Sequence, residues 1–302
     1  MLLRANASEL LWPGLDEVLF EKWKEKNPMY KEIYNVKTSK KKYEKTLGFS
    51  GFGNLVEKPE GQDMTTDDPI QGYETTFTHK TYALEARITD EMEDDDLYDV
   101  IKRLPPALAN SAMRTKEIYA AAVFNNGFSV AGSTYMSGGD GQVLFYASHP
   151  LTGGGTQTNV LGTAADLSVT SLEEALYTLR QTVGDRGEIL SLEPKTLLVP
   201  TQLGRVAFEL TKSAGRPDTA NRADNWLKEQ GLTYKEWAYL TDTDAWFVLC
   251  GSDQHTLLWY ERRELSTDMD RAFHSKDHLY SVDCRWSNGY EDFRGTFGSP
   301  GA

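Results

Sequence analysis

Cysteine is almost absent from this sequence. Cys250 and Cys284 are the only two in 302 residues, and no CxxC spacing accompanies them. That excludes a disulfide framework or thiolate metal site and predicts two reduced core thiols, which suits a reducing compartment. Long apolar runs are missing too. No stretch approaches the ~18 apolar residues of a membrane span, and residues 1–6 carry no apolar run of signal-peptide length. Basic charge is in deficit: 32 Lys and Arg stand against 45 Asp and Glu, a net charge of −13. Such a chain is poorly suited to grip phosphates, although it could enclose a nucleic acid without holding it.

Signatures of catalysis are equally scarce. Gly48-Phe49-Ser50-Gly51-Phe52-Gly53 lacks the Lys-Ser/Thr ending of a phosphate loop and precedes no helix, and Gly138-Gly139-Asp140-Gly141 fails likewise. There is no GxSxG elbow and no Cys-His signature. Of the five histidines only His274 and His278 stand at i, i+4, with no HExxH glutamate between them. Catalytic, cofactor-binding and metal-ligating residues are therefore expected to be none, and the chain is expected not to be an enzyme.

What is present is an ordinary globular composition, 39% hydrophobic and 25% charged, at a length sufficient for a substantial core. Leu15, Val18, Leu19 and Trp23 recur at helical spacing. Pro13 is expected in the first turn and a stop near Asn27-Pro28. From Tyr30 to Ile88 the pattern predicts two alternating strands joined by a long polar excursion, with too few apolar residues for a core of its own. An isolated two-stranded ribbon is marginal in water, so a second copy of the chain is expected to support it. A helical stretch follows from Asp90 to Asn126, with a break or kink expected at Pro105-Pro106.

Two opposite charge blocks flank the ribbon. Lys37, Lys40, Lys41, Lys42 and Lys45 precede its excursion, and Asp90, Glu91, Glu93, Asp94, Asp95, Asp96 and Asp99 open the helix after it. The acidic block lacks EF-hand spacing. It reads as a solvated helix start or as an inter-subunit partner for the lysines of another copy.

The second half has α/β character. Ser171-Leu172-Glu173-Glu174 is expected to cap a helix reaching about Val183. Residues 196–200, 245–250 and 256–260 are expected as buried strands, 202–213 as a helix and 279–286 as a closing strand.

In order, these parts are a terminal helix, a ribbon, a kinked helix, an α/β segment and a closing strand. Four local motifs accompany them: Leu144-Phe145-Tyr146-Ala147-Ser148-His149-Pro150-Leu151, residues 194–200, Asp242-Thr243-Asp244-Ala245-Trp246-Phe247-Val248-Leu249, and Gly289-Tyr290-Glu291-Asp292-Phe293-Arg294-Gly295-Thr296-Phe297-Gly298-Ser299. Together they resemble the major capsid proteins of tailed bacteriophages with the HK97-type fold, and most of all the Mu-type major head protein family.

The resemblance implies an α+β chain divided into an N-terminal arm (1–29), an extended β-hairpin loop, or E-loop (30–88), a peripheral domain with a long spine helix (89–149), an axial domain (150–260) and a return to the peripheral domain (261–302). It implies pentamers and hexamers of one chain forming an icosahedral shell around double-stranded DNA, without sequence-specific binding and without a membrane. Because the chain begins almost at its arm helix, a separate scaffold protein is expected; a portal and a decoration protein are further partners that the resemblance implies. Assembly is expected in the bacterial host cytoplasm and final residence in the virion. Some related shells crosslink a loop lysine to a neighbour's asparagine. No motif here fixes such a set, Lys58 matching only by region, so noncovalent assembly is expected. An encapsulin-like compartment of the same fold and a soluble carboxylate-dependent hydrolase are the alternatives.

Overall fold

The computed structural model describes residues 5–25, 27–89, 91–92, 95, 101–129, 138–215 and 224–302. In chain order its helices are α1 (Ala5–Glu25), α2 (Tyr30–Ile33), α3 (Leu104–Asn125), α4 (Val169–Arg180), α5 (Gly204–Lys212) and α6 (Trp226–Glu229). Its strands are β1 (Asn35–Thr38), β2 (Tyr43–Phe49), β3 (Gln71–Thr78), β4 (Lys80–Ile88), β5 (His149–Pro150), β6 (Thr156–Gln157), β7 (Pro194–Val199), β8 (Thr233–Glu236), β9 (Trp246–Cys250), β10 (Leu257–Arg271), β11 (His278–Tyr290) and β12 (Thr296–Ser299).

The chain divides into two compact units, neither of them contiguous in sequence. The first comprises Met1–Tyr43, Thr78–Ala120 and Trp259–Asn288, and the second Glu44–Phe77, Ala121–Leu258 and Gly289–Ala302.

In the first unit β1, β10, β11 and β4 form one sheet in that order. β4 runs antiparallel to β11, from His278 opposite Ile88 to Trp286 opposite Lys80. The core is aromatic. Trp259 packs on Tyr30 at 4.4 Å and on Trp286 at 5.7 Å, and Tyr82 stacks on Trp286 at 4.0 Å. Lys116 of α3 is buried among these rings, 5.2–5.9 Å from the centroids of Trp23, Tyr30 and Trp286. A buried ammonium needs a counter-charge. Glu261 of β10 supplies it by direct ion pairing, and its other oxygen accepts the Trp259 indole N–H at 2.9 Å.

The second unit is built on the sheet β12-β9-β7-β8. β9 is buried at every position and runs antiparallel to both β7 and β12, whereas β8 joins β7 in parallel. Leu172, Leu176, Ala207 and Leu210 of α4 and α5 pack with Leu197, Val199, Trp246 and Val248 of the sheet in one cluster. α5 is strongly amphipathic in sequence, so one stripe covers the sheet while Phe208 stays exposed.

Several expectations need correction. Pro13 lies within α1 rather than at its start. Pro105 and Pro106 are the second and third residues of α3, so they open the helix instead of kinking it. A missing N–H costs nothing in a first turn. α4 is capped by Ser168, with Ser171 as its reciprocal partner, three residues before the expected cap. The Tyr30–Ile88 stretch holds four strands, not two. β1 and β4 join the first unit's sheet and β2 and β3 form a separate two-stranded ribbon, so Tyr30, Ile33, Tyr34 and Ile88 do have a core.

Candidate assembly surfaces

The ribbon β2–β3 and the excursion it carries, residues 50–70, are the most exposed stretch of the described chain. The strands approach closely at their glycines: a Cβ on Gly72 would lie 2.8 Å from the Gly48 carbonyl carbon, so a side chain there would push them apart. Lys45 pairs with Glu74 across the strands at 2.5 Å. At the end of the ribbon Ser50 closes the excursion, its N–H and hydroxyl both donating to the Ile70 carbonyl, at 3.1 and 2.9 Å. Beyond that point the chain shows no regular structure except a turn in which Gln62 N–H reaches the Pro59 carbonyl at 3.2 Å, with Gly61 at φ +81°.

This segment is not purely polar. Phe49, Phe52, Leu55, Val56 and Met64 are all exposed, Leu55 completely and Met64 at 80%. Several uncovered apolar side chains on one short segment mark a surface made for a partner.

A side chain from elsewhere in the second unit holds the excursion. Arg186 donates to the Asp67 carboxylate and to the Asp68 carbonyl, and Asp67 also accepts the Gly53 N–H at 2.8 Å. The Gly53 N–H and then the Arg186 guanidinium hold the Asp67 carboxyl below the usual carboxylate range. Sequence reading missed Arg186, because nothing local distinguishes it from a solvated arginine.

The basic block is solvent-facing: Lys37, Lys40, Lys41, Lys42 and Lys45 are all exposed. It is split, however, since Lys37 lies on β1 and Lys45 on β2, where Glu74 occupies it. Of the acidic block, Glu91 and Asp95 are exposed and linked by Asp95 N–H donating to the Glu91 carbonyl at 3.0 Å. Asp90, Glu93, Asp94 and Asp96 lie outside the described residues.

Two of the motifs read in the sequence meet in space. His149 is fully buried and stacks on Phe293, its Nδ1 2.6 Å from Asp140 and its Nε2 3.2 Å from Asn159. Beside Phe293, Arg294 donates to Asp292 at 2.6 Å and to Asp185 at 2.9 Å. A cavity of about 220 Å³ here is lined by Asp140, Asp185, Glu291 and Asp292. Three of these carboxylates are engaged by His149 or Arg294, an arrangement that ties loops together rather than leaving an acid and a base opposed. Among the described residues no group of three His, Cys, Asp or Glu side chains is placed to hold a metal. No described helix is long and apolar enough to cross a membrane. Cys250 and Cys284 are both free and buried, as expected.

No curated protein matches the chain. Many solved structures do. It is similar to a structure from Microbacterium phage Oxtober96 at 12% identity and TM-score 0.58, covering 91% of each chain. It is similar to the capsid of cyanophage P-SCSP1u at 11% identity and TM-score 0.60, covering 92% of this chain and 89% of that one. Against the procapsid of bacteriophage JBD30 the values are 15% and 0.52, covering 99% and 76%. At these identities the likeness establishes the fold, an α+β chain of the HK97 type. A family model described as "Phage capsid protein" matches residues 72–297, most of the chain. The shared fold and this match lead to one conclusion: the chain belongs to the phage capsid protein family, as a major capsid protein of an icosahedral shell.

Proposed function

We propose that pentamers and hexamers of this chain close the shell by laying each copy's extended loop over a neighbour, enclosing double-stranded DNA. The observation that carries this reading is the set of uncovered apolar side chains on residues 49–64. In a closed lattice every copy both offers and receives such a segment, so modest contacts repeated around each ring sum to a stable wall.

Charge adds direction. Lys37, Lys40, Lys41 and Lys42 on one copy would face Asp90, Glu91, Glu93, Asp94, Asp95 and Asp96 on the next, with Lys45 contributing less because Glu74 already neutralises it. The net charge of −13 suits a container whose DNA slides rather than sticks. The division into arm, extended loop, peripheral and axial domains and the Mu-type affiliation are part of the same reading, supported by the motif order. So are a separate scaffold, a portal, a decoration protein and assembly in the host cytoplasm.

Electron microscopy of the expressed full-length chain tests this. Closed shells or rings of five and six are expected, and a uniform monomer at high concentration would refute the reading. Nuclease-protected DNA inside phage-derived particles is expected, whereas protein cargo in its place would indicate an encapsulin-like compartment.

A further inference from the structure

Arg186 stands in a tight loop, residues 183–189, closed by an isolated bridge between Val183 and Ile189 and by Gly184 N–H donating to the Glu188 carbonyl at 2.7 Å. The loop is pinned at its foot. Arg294 donates to the Val183 carbonyl at 3.1 Å and to the Asp185 carboxylate at 2.9 Å, and Asp185 also accepts the Thr152 N–H at 3.3 Å. The next residue, Arg186, is three-quarters or more covered and spans from this pinned loop to the returning leg of the excursion at Asp67 and Asp68. Asp67 in turn accepts the N–H of Gly53 on the outgoing leg. The guanidinium and the Asp67 carboxylate together therefore join the pinned loop to both legs of the excursion, which also meet at Ser50 and Ile70.

We propose that Arg186 is a positioning residue for assembly: by clipping Asp67 and Asp68 to the pinned loop, it sets the direction in which the excursion leaves the subunit before any neighbour arrives. The physical need is entropic. A long segment without regular structure loses many conformations when it docks, and that loss weakens binding unless it has been incurred in advance. Apolar residues lie between the clipped positions, Leu55, Val56 and Met64 among them, so a fixed base narrows where they can be presented. The proposal rests on the reading that this segment docks on a neighbour. It adds that the segment is held in readiness by its own subunit.

The test uses the full-length chain with Arg186→Gln, Asp67→Asn and the reversed pair Arg186→Asp/Asp67→Arg. Hydrogen–deuterium exchange on the unassembled chain should show the amides held at the base of the excursion, Gly53 and Ile70, exchanging roughly tenfold faster in each single variant, the factor for losing about one charge-assisted hydrogen bond. Protection of β7 and β9 should be unchanged, which shows that the fold is intact. The yield of closed shells should fall in both single variants and recover in the reversed pair. Unchanged exchange at Gly53 and Ile70 in Arg186→Gln would overturn the clip. Faster exchange with undiminished shell yield would overturn its role in assembly. A separate variant, Leu55→Ser/Met64→Ser, keeps the clip: normal assembly there would defeat the docking reading itself, whatever Arg186 does.

Discussion

His149 and Phe293 lie face to face, ring centroids 3.8 Å apart and planes within 4° of parallel. One belongs to a Phe-to-His-Pro motif and the other to an Asp-x-Arg-Gly motif far along the chain, so two short patterns are two halves of one contact. Its ends are fixed by Asp140 and Asn159 on the His149 side and by Arg294 on the other.

Phe293 is buried, and truncating a buried phenylalanine typically costs 3–5 kcal/mol. Phe293→Ala is expected to lower the unfolding free energy of the unassembled chain by about 3 kcal/mol, with Phe293→Leu costing clearly less. Urea unfolding followed by tryptophan fluorescence measures both. Equal losses would mean that the ring's stacking, rather than the volume it fills, carries the whole contribution.

The buried Lys116–Glu261 pair calls for a double-mutant cycle. Lys116→Met alone leaves Glu261 charged and enclosed, at a typical cost of about 3–5 kcal/mol. Adding Glu261→Gln removes the stranded charge and still accepts the Trp259 indole N–H, so most of that loss should return. Losses that simply add would refute direct coupling of the two side chains.

Lys40→Glu/Lys41→Glu/Lys42→Glu reverses the charge of an exposed segment and should leave the monomer's stability nearly unchanged. Shell yield should drop, and raised salt should weaken wild-type assembly, since exposed charges are screened beyond about 10 Å at 0.1 M. Salt-independent assembly by wild type and variant alike would remove the lysine–carboxylate pairing from the mechanism.

His255 supplies a pH dependence. Burial pushes its pKa down to about 4, against which Asp253 acts only partly, and its Nδ1 accepts the Leu257 N–H at 3.3 Å. The folded chain therefore keeps the ring neutral while the unfolded chain protonates it near pH 6.5. The resulting stability is whole above about pH 6.5 and is lost as pH falls towards 4, a loss of about 3 kcal/mol. Urea unfolding across that range, compared with His255→Gln, should isolate this component. Parallel pH profiles for the two proteins would rule it out.

Much of the fold was legible because its signals are local. The β9 run Trp246–Cys250 is continuously apolar and the stop after Asn125 is a standard helix end, and both were found. The errors share a cause. Alternation in β1 and β4 announces a strand but not its partner, and β4's partner lies nearly two hundred residues away in β11. The outer part of β10, from Glu261 to Arg271, was missed because its charged, half-exposed sequence hides a two-residue period. Lys116 was overlooked as a surface lysine, yet it falls three residues after Met113 and four before Ala120, on the buried stripe of α3. That spacing was the available clue. Arg186 left no such clue, since its importance comes entirely from where Asp67 and Gly53 are brought.

The interleaving of the two units has a consequence during synthesis. The first unit takes Trp259, Glu261 and Trp286 from its last segment, so Lys116 waits, uncompensated, until almost the whole chain has left the ribosome. A polypeptide that terminates early lacks the two central strands of that sheet and its counter-charge. Incomplete translation products are thus expected to remain unfolded and open to proteolysis, and a lattice built from many identical copies is spared defective bricks.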